Sequence, residues 1–140
     1  MLNGRVLALD LGKRRIGLAI SDELGITAQG LETLQRTTIR ADLARLARLA
    51  EERNVSLILM GHPLHMSGRE SPQADYTREF AARLEGATGL PTKFWDERMT
   101  TVQAERVLKQ SGISIGKRAK AVDRLAAVIL LESYLDSLHQ

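Results

Sequence analysis

The spacing of apolar residues changes period several times along the chain, and each change marks an element. Arg5 to Asp10 (RVLALD) is a short apolar run ending on an acid, and Arg15 to Ser21 (RIGLAIS) is a second. Leu11-Gly12-Lys13-Arg14 between them reads as a turn, so the two runs predict a β-hairpin. Gly12 and Gly17 are read as serving the hairpin's shape, and Thr27 to Gln35 predicts a third strand. From Ile39 to Asn54 the pattern is helical: Leu43, Leu46, Ala47 and Ala50 recur at i, i+3, i+4 and i+7, and Asn54 is the stop. Leu57 to Met60 is continuously apolar, which suits a strand covered on both faces; it ends at Gly61, before a loop from His62 to Glu70. Ser71-Pro72 has the form of an N-cap followed by proline at the first helical position. That helix is expected to run to about Glu85, with Tyr76, Phe80, Ala81 and Leu84 on one face and Gly86 and Gly89 at its end. Thr92 to Asp96 predicts a strand, and Thr101 to Gln110 a helix closed by Gly112. Ile113 to Lys120 reads as a basic mobile segment, and Ala121 to Leu138 as the last helix, with Val122, Leu125, Ala126 and Ile129 inward.

The order β-β-β-α-β-α-β-α-α implies an α/β fold: a mixed sheet with helices on both faces. No repeat, low-complexity tract or linker divides the 140 residues, so a single domain over residues 1–140 is expected. With 44% hydrophobic residues such a domain can bury its own core. The chain has no cysteine, which excludes disulfides, thiolate-held zinc, iron–sulfur clusters and thiol catalysis. Charges interrupt every apolar run well short of the ~20 residues of a membrane span. The start lacks a signal-peptide layout, so a cytoplasmic protein without a membrane partner is expected.

Charge adds a partner class. The net charge is +3, and fifteen of the twenty basic residues are arginine, whose fork suits phosphate oxygens. Between Arg98 and Arg124 seven basic residues face two acids, and Lys13-Arg14-Arg15 forms a second cluster. Lys13, Arg14, Arg15, Lys117, Arg118 and Lys120 are therefore candidate contacts to a nucleic-acid backbone, each also readable as ordinary surface charge. Aromatic residues are too few for a base-stacking platform, so the grip would be on phosphates and sensitive to salt.

Three acids fall where a folded sheet would gather them. Asp10 ends the first strand, Glu97 follows the last, and Asp123 lies in the first turns of the last helix. Ligands of an open α/β sheet bind beyond the carboxyl ends of its strands. Three carboxylates there repel one another without a cation, and Mg²⁺ or Mn²⁺ prefers such oxygen ligands. Two ions about 4 Å apart can clamp the attacking and leaving oxygens of a phosphodiester. Taken singly, Asp10 also reads as a turn former, Glu97 as an exposed acid and Asp123 as an acid favoured by a helix dipole.

Four segments, in this order, resemble the YqgF/RuvX family of ribonuclease H-like nucleases: ALDLGKRRIGLAISD (Ala8 to Asp22), GHPLHMSGRESPQA (Gly61 to Ala74), FWDERMTTVQAE (Phe94 to Glu105) and KAVDRLAAVILLESYL (Lys120 to Leu135). The resemblance spans nearly the whole chain. It implies a ribonuclease H-like fold with a five-stranded mixed sheet, its first three strands antiparallel, and helices on both faces. It also implies a phosphodiesterase dependent on Mg²⁺ or Mn²⁺ at a two-metal site, with Asp10, Glu97 and Asp123 as catalytic carboxylates and metal ligands. In that arrangement Asp10 would bridge the ions, and the products would be a 5′-phosphate and a 3′-hydroxyl.

Two positions depart from the expected pattern. Junction resolvases of the RuvC type carry a second acid three residues along the last helix, where this chain has Ala126; Asp96 is the nearest spare acid. Strand alternation, however, points Asp96 and Glu97 to opposite faces. His62 stands where the family more often has an apolar residue, and with His65 it reads as a pair of loop histidines rather than a metal site.

The family is associated with 5′-end maturation of the small-subunit ribosomal RNA precursor, and this substrate is ranked first. Resolution of branched DNA ranks second, since symmetric cutting needs a two-fold homodimer that no sequence feature guarantees. An actin-like ATPase or kinase shares the first motif, but 140 residues leave no room for its second lobe. A non-catalytic nucleic-acid-binding module is the remaining alternative.

Overall fold

Alternating apolar runs without interior proline place the first two strands side by side. β1 (Arg5–Leu11) and β2 (Arg15–Ser21) pair antiparallel, with Leu7 opposite Ile20, Leu9 opposite Leu18 and Asp10 opposite Gly17. The structure, a computed structural model, describes residues 4–62, 72–96 and 115–139, without the side chains of 115–120. The helix expected over Thr101 to Gln110, and Ser71 as its neighbour's N-cap, lie outside the described residues.

The third strand is broken in two. β3 (Ala28–Gly30) and β4 (Leu34–Gln35) both pair antiparallel with β2, so the described sheet has six strands rather than five. The reason is a register mismatch. Ala19 faces Gly30 and Ile16 faces Leu34, so Leu31, Glu32 and Thr33 lie opposite only Gly17 and Leu18. One extra residue interrupts the ladder, as in a β-bulge.

α1 (Ile39–Glu52) starts at Thr38, whose side chain accepts the Ala41 N–H at 3.1 Å. It ends before Asn54, which takes a left-handed φ of 55°. β5 (Val55–His62) then runs parallel to β1, and β6 (Thr92–Asp96) parallel to β5. β5 is longer than the apolar core Leu57–Met60, because pairing to neighbours on both sides carries the strand through Gly61 to His62. His62 is therefore a strand residue, not a loop residue; its ring lies 5.3 Å from that of Phe94. His65 lies outside the described residues.

α2 (Pro72–Thr88) continues past Gly86 and ends at Gly89, which has a φ of 72°. Its buried face is Ala74, Thr77, Phe80, Ala81 and Leu84, so Tyr76 sits at the rim rather than inside. The last helix, α3 (Ile115–Leu138), starts earlier than expected. The segment to Lys120, read as mobile, is helical: lysine, arginine and alanine are good helix formers, and one glycine near a helix start is tolerated.

The sheet order is β3-β2-β1-β5-β6, with β4 beside β2. Alternation then divides the core. Leu7, Leu9, Ile16, Leu18, Ile58 and Met60 pack under α1 and α2. Val6, Ala8, Ala19 and Leu59 pack under Ala127, Leu130, Leu131 and Tyr134 of α3. Helices thus cover both faces of a mixed sheet, as expected.

Candidate active site

Asp10 is the penultimate residue of β1, and alternation with Val6 and Ala8 puts it on the α3 face, half-buried. Its partner across the ladder is Gly17. The need for glycine there is set by the helix and not by the hairpin. A Cβ on Gly17 would lie 2.0 Å from the backbone oxygen of Asp123 and 2.5 Å from its carbonyl carbon. α3 therefore rests directly on β2 at this point, and Asp10 and Asp123 are both immediate neighbours of Gly17. One strand further out, a Cβ on Gly30 would lie 2.6 Å from Cγ of Arg124, which continues the same close seating.

Arg15, two residues before Gly17 on the same face of β2, donates from Nε to Oδ2 of Asp123 at 2.7 Å. Both side chains keep partial exposure, 29% and 22%. A charge-assisted bond of this length holds the carboxylate's orientation. Arg15, expected among the backbone-gripping residues, thus has a partner within the site.

Lys13 and Arg14 occupy the exposed turn between β1 and β2, closed by the Gly12 N–H donating to the Arg15 carbonyl at 3.0 Å. Neither makes an ion pair with a described residue. Lys117, Arg118 and Lys120 lie on the first turns of α3, with side chains outside the described residues.

Glu97 also lies outside the described residues. The strand that leads to it is well anchored. Trp95 donates from Nε1 to Ser133 Oγ at 3.0 Å and meets the Tyr134 ring edge-on at 5.2 Å, fixing the end of β6 on α3. Asp96 pairs in register with His62 and alternates with Phe94, which packs on the α1/α2 side. It therefore belongs to the face opposite Asp10. Ala126, three residues after Asp123, is 1% exposed beside Val122, so the last helix offers no second carboxylate there. Among the described residues no three His, Cys, Asp or Glu side chains gather around a common point.

One charged pair was not anticipated. Asp42, in the first turn of α1, is fully buried and accepts from Arg36 Nε at 3.1 Å and from the Thr37 N–H at 3.0 Å. Arg36 also donates to the Gly12 carbonyl at 3.0 Å and to the Tyr76 hydroxyl at 2.8 Å. It ties the β1–β2 turn to α1 and α2. The only signal in the sequence was an acid four residues past a threonine cap.

A mixed sheet with antiparallel β1–β2, parallel β1–β5–β6 and a helix seated beside the first strand's terminal acid is the architecture of RuvC-like resolvases. RuvC from T. thermophilus, in complex with a Holliday junction substrate, superposes with a TM-score of 0.58 at 15% identity, covering 97% of this chain and 96% of that one. The Fowlpox virus resolvase, in complex with Holliday junction DNA, gives 0.59 at 17% identity, covering 97% and 99%. At such identities the likeness establishes the fold, that of the ribonuclease H-like class. The family follows from sequence: residues 4–137 match RuvX, described as a Holliday junction resolvase, and the chain belongs to that family of nucleases. A relative from Koribacter versatilis carrying the name "Putative pre-16S rRNA nuclease" is 53% identical over 135 residues, 96% of this chain and 88% of its own length. One from Geobacillus kaustophilus with the same name is 47% identical, over 95% of this chain and 98% of its own. No helix among the described residues is long and apolar enough to cross a membrane.

Proposed function

We propose that this chain hydrolyses phosphodiester bonds in the 5′ region of the small-subunit ribosomal RNA precursor, with Asp10, Glu97 and Asp123 as the carboxylates of its site. The observation that carries the reading is the convergence of Asp10 and Asp123 on Gly17 at the carboxyl end of β1. Ribosomal RNA is put first because the 42–53% identical relatives bear that substrate in their names.

The donor set fits a hard divalent cation. Both described acids offer carboxylate oxygens, and the chain has no cysteine thiolate to favour a softer metal. Asp10, Glu97 and Asp123 would hold Mg²⁺ or Mn²⁺. When bound, such ions supply Lewis acidity, drawing charge from the phosphate and easing deprotonation of a water. The chain's own residues do the rest. Water adds to phosphorus and the P–O3′ bond breaks, leaving a 5′-phosphate and a 3′-hydroxyl. Arg15 keeps the Asp123 carboxylate turned toward β2. Lys13, Arg14, Lys117, Arg118 and Lys120 grip the strand on either side through its phosphates.

A second reading, cutting of branched DNA, has the family's own description in its favour. It requires two copies of the chain with sites at a fixed separation. The deciding experiment is cleavage, with Mg²⁺ or Mn²⁺, of a labelled precursor segment, single-stranded RNA, single-stranded DNA and a mobile four-way junction. Asp10→Asn keeps the shape of the side chain and removes its charge. Metal-dependent cutting by the wild type, with the precursor preferred and a loss of at least about 100-fold in Asp10→Asn, is the expected result. Preference for the junction would shift the reading to resolution. Cutting by Asp10→Asn at the wild-type rate would refute the assignment of the site.

A further inference from the structure

Asp10 and Asp123 lie on one face of the sheet's carboxyl edge. Around the rim, on the α1/α2 side, lies a cavity of about 750 Å³. Its wall is built from the β1–β2 turn (Lys13, Arg14), the approach to α1 (Arg36, Thr37) and the first turns of α2 (Gln73, Tyr76). The volume is within the roughly 300–1,000 Å³ of sites that enclose a small ligand.

The lining divides into parts that hold the wall and parts left to bind. Arg36 belongs to the wall. Its guanidinium is spent on Asp42, the Gly12 carbonyl and the Tyr76 hydroxyl, and its side chain is only 8% exposed. The backbone N–H of Arg36 also donates to the Arg14 carbonyl at 2.9 Å, so the turn is held from two sides. Lys13 and Arg14, in contrast, are exposed and make no ion pair with a described residue. Tyr76 has its ring 5.6 Å from the Arg36 guanidinium carbon and its hydroxyl bonded there, so the aromatic plane is fixed while 36% of the residue remains exposed. Two exposed cations with no ion-pair partner among the described residues, a braced aromatic ring and the amide of Gln73 form a site for a phosphate bearing a flat, hydrogen-bonding ring.

We infer that this cavity is a subsite for one nucleotide unit of the strand being cut, its phosphate on Lys13 and Arg14 and its base against Tyr76. The inference rests on the nuclease reading for its substrate, and adds where the strand goes. Lys13 is three residues beyond Asp10, at most about 10 Å along the chain. A strand whose scissile phosphate sits at Asp10 on the α3 face thus passes over the sheet edge within one or two nucleotides and enters the cavity on the opposite face.

The test is binding, kept separate from cutting. Full-length protein, with EDTA present so that the strand stays whole, is titrated against a fluorescein-labelled single-stranded RNA and followed by anisotropy at several salt concentrations. Lys13→Ala/Arg14→Ala is expected to weaken binding about tenfold or more. It should also make the slope of log K against log salt shallower by about 0.7, the share of one phosphate on a single strand. Tyr76→Ala is expected to weaken binding roughly 5- to 100-fold. Tyr76→Phe, which keeps the ring, should stay within about threefold. Thermal melting of each variant checks that it is folded, and Lys13→Ala/Arg14→Ala, on an exposed turn, keeps the test decisive if Tyr76→Ala is not. In parallel, adenosine 5′-monophosphate and inorganic phosphate are titrated while the amide signals of Gln73 and Tyr76 are followed. The monophosphate should shift them at millimolar concentration and phosphate more weakly. Unchanged RNA affinity and salt slope in Lys13→Ala/Arg14→Ala would overturn the inference. So would shifts with the monophosphate alone and no effect of any variant on RNA binding, which would make the cavity a free-nucleotide site. A wild type that binds RNA with these variant effects but cuts nothing would fail the catalytic reading and leave the subsite supported.

Discussion

Gly17→Ala is the substitution that most directly tests how the two described acids are brought together. The added methyl would sit 2.0 Å from the Asp123 carbonyl oxygen, whereas such contacts are essentially never closer than 3.0 Å. The obstacle is backbone, so no rotamer change relieves it, and α3 must lift from β2 by at least 1 Å. Overpacking of this kind costs about 1–3 kcal/mol, and a rigid neighbour puts it at the upper end. Replacing glycine by alanine also removes freedom from the unfolded chain, which returns about 0.5–1 kcal/mol. The expected net loss is about 2 kcal/mol, or roughly 6 °C in melting temperature for a chain of this size. Misplacing a catalytic group by about 1 Å can lower a rate about 100-fold, and α3 carries Asp123, one of the proposed carboxylates, with it. Gly86→Ala is the control. It lies within α2 with nothing within 4 Å of its would-be Cβ, so it should gain about 0.5–1 kcal/mol and leave cutting unchanged. The assay is urea unfolding together with the initial rate of RNA cleavage at saturating metal. A Gly17→Ala protein as stable and as active as the wild type would refute the close seating of α3. Lost stability with full activity would show that α3 can shift without taking Asp123 off the site.

Asp42→Ala leaves the Arg36 guanidinium buried without its carboxylate and the Thr37 N–H without an acceptor, so a loss of about 3–5 kcal/mol in denaturant unfolding is expected. A loss below about 1 kcal/mol would show that the pair is dispensable. The Asp22 carboxyl, which accepts the Ile26 and Thr27 N–H groups at 2.7 and 3.1 Å, is held below its ordinary value of 3.8 chiefly by those two bonds. Because the folded value is the lower one, its contribution to stability is complete above the unfolded value and is lost as pH falls through the folded one. NMR titration of the carboxyl carbon should show this, and a midpoint at or above 3.8 would contradict it.

What the sequence made legible follows the range over which each feature is decided. β2 and β6 run over the expected residues, because a short apolar run bounded by turn residues specifies a strand locally. The break between β3 and β4 is decided by a single residue's mismatch with β2, a property of two segments at once. Thr27 to Gln35 alone therefore reads as one strand. The start of α3 was missed for a related reason: Ile115 to Lys120 carries charges and a glycine that suggest a loop until the helix behind them is seated on the sheet. Helical spacing alone points Tyr76 inward, but the buried arc of α2 is turned so that Ala74 and Thr77 are inside and Tyr76 is at the rim. Asp42 looks like a solvated helix acid, and only Arg36, folded back from the β4 end, makes it interior. Asp10 and Asp123 stand out in the sequence by their places at the ends of their elements, and the structure brings both beside Gly17. That Gly17 joins them is not legible in the sequence, since a glycine in a hairpin has a sufficient local explanation.

The division of charge at this edge also gives direction to a bound polyanion. The sheet is a wall whose two faces meet at the carboxyl ends of β1, β5 and β6. On the α3 face Asp10 and Asp123 lie at this edge with Arg15, which holds Asp123, while Arg124 and Lys93 sit further out over Gly30 and Tyr134; on the other face the turn presents Lys13 and Arg14 over the cavity. A phosphate backbone is attracted to the cationic side and repelled by the carboxylates, until a divalent cation reverses the sign of their field. On the proposed reading, binding energy from the Lys13–Arg14 side would be available without metal, whereas approach of a phosphate to Asp10 would require a cation. Affinity measured in EDTA and cutting measured with Mg²⁺ would then depend on different residues of the proposed path, and a variant that separates the two would locate its residue on that path.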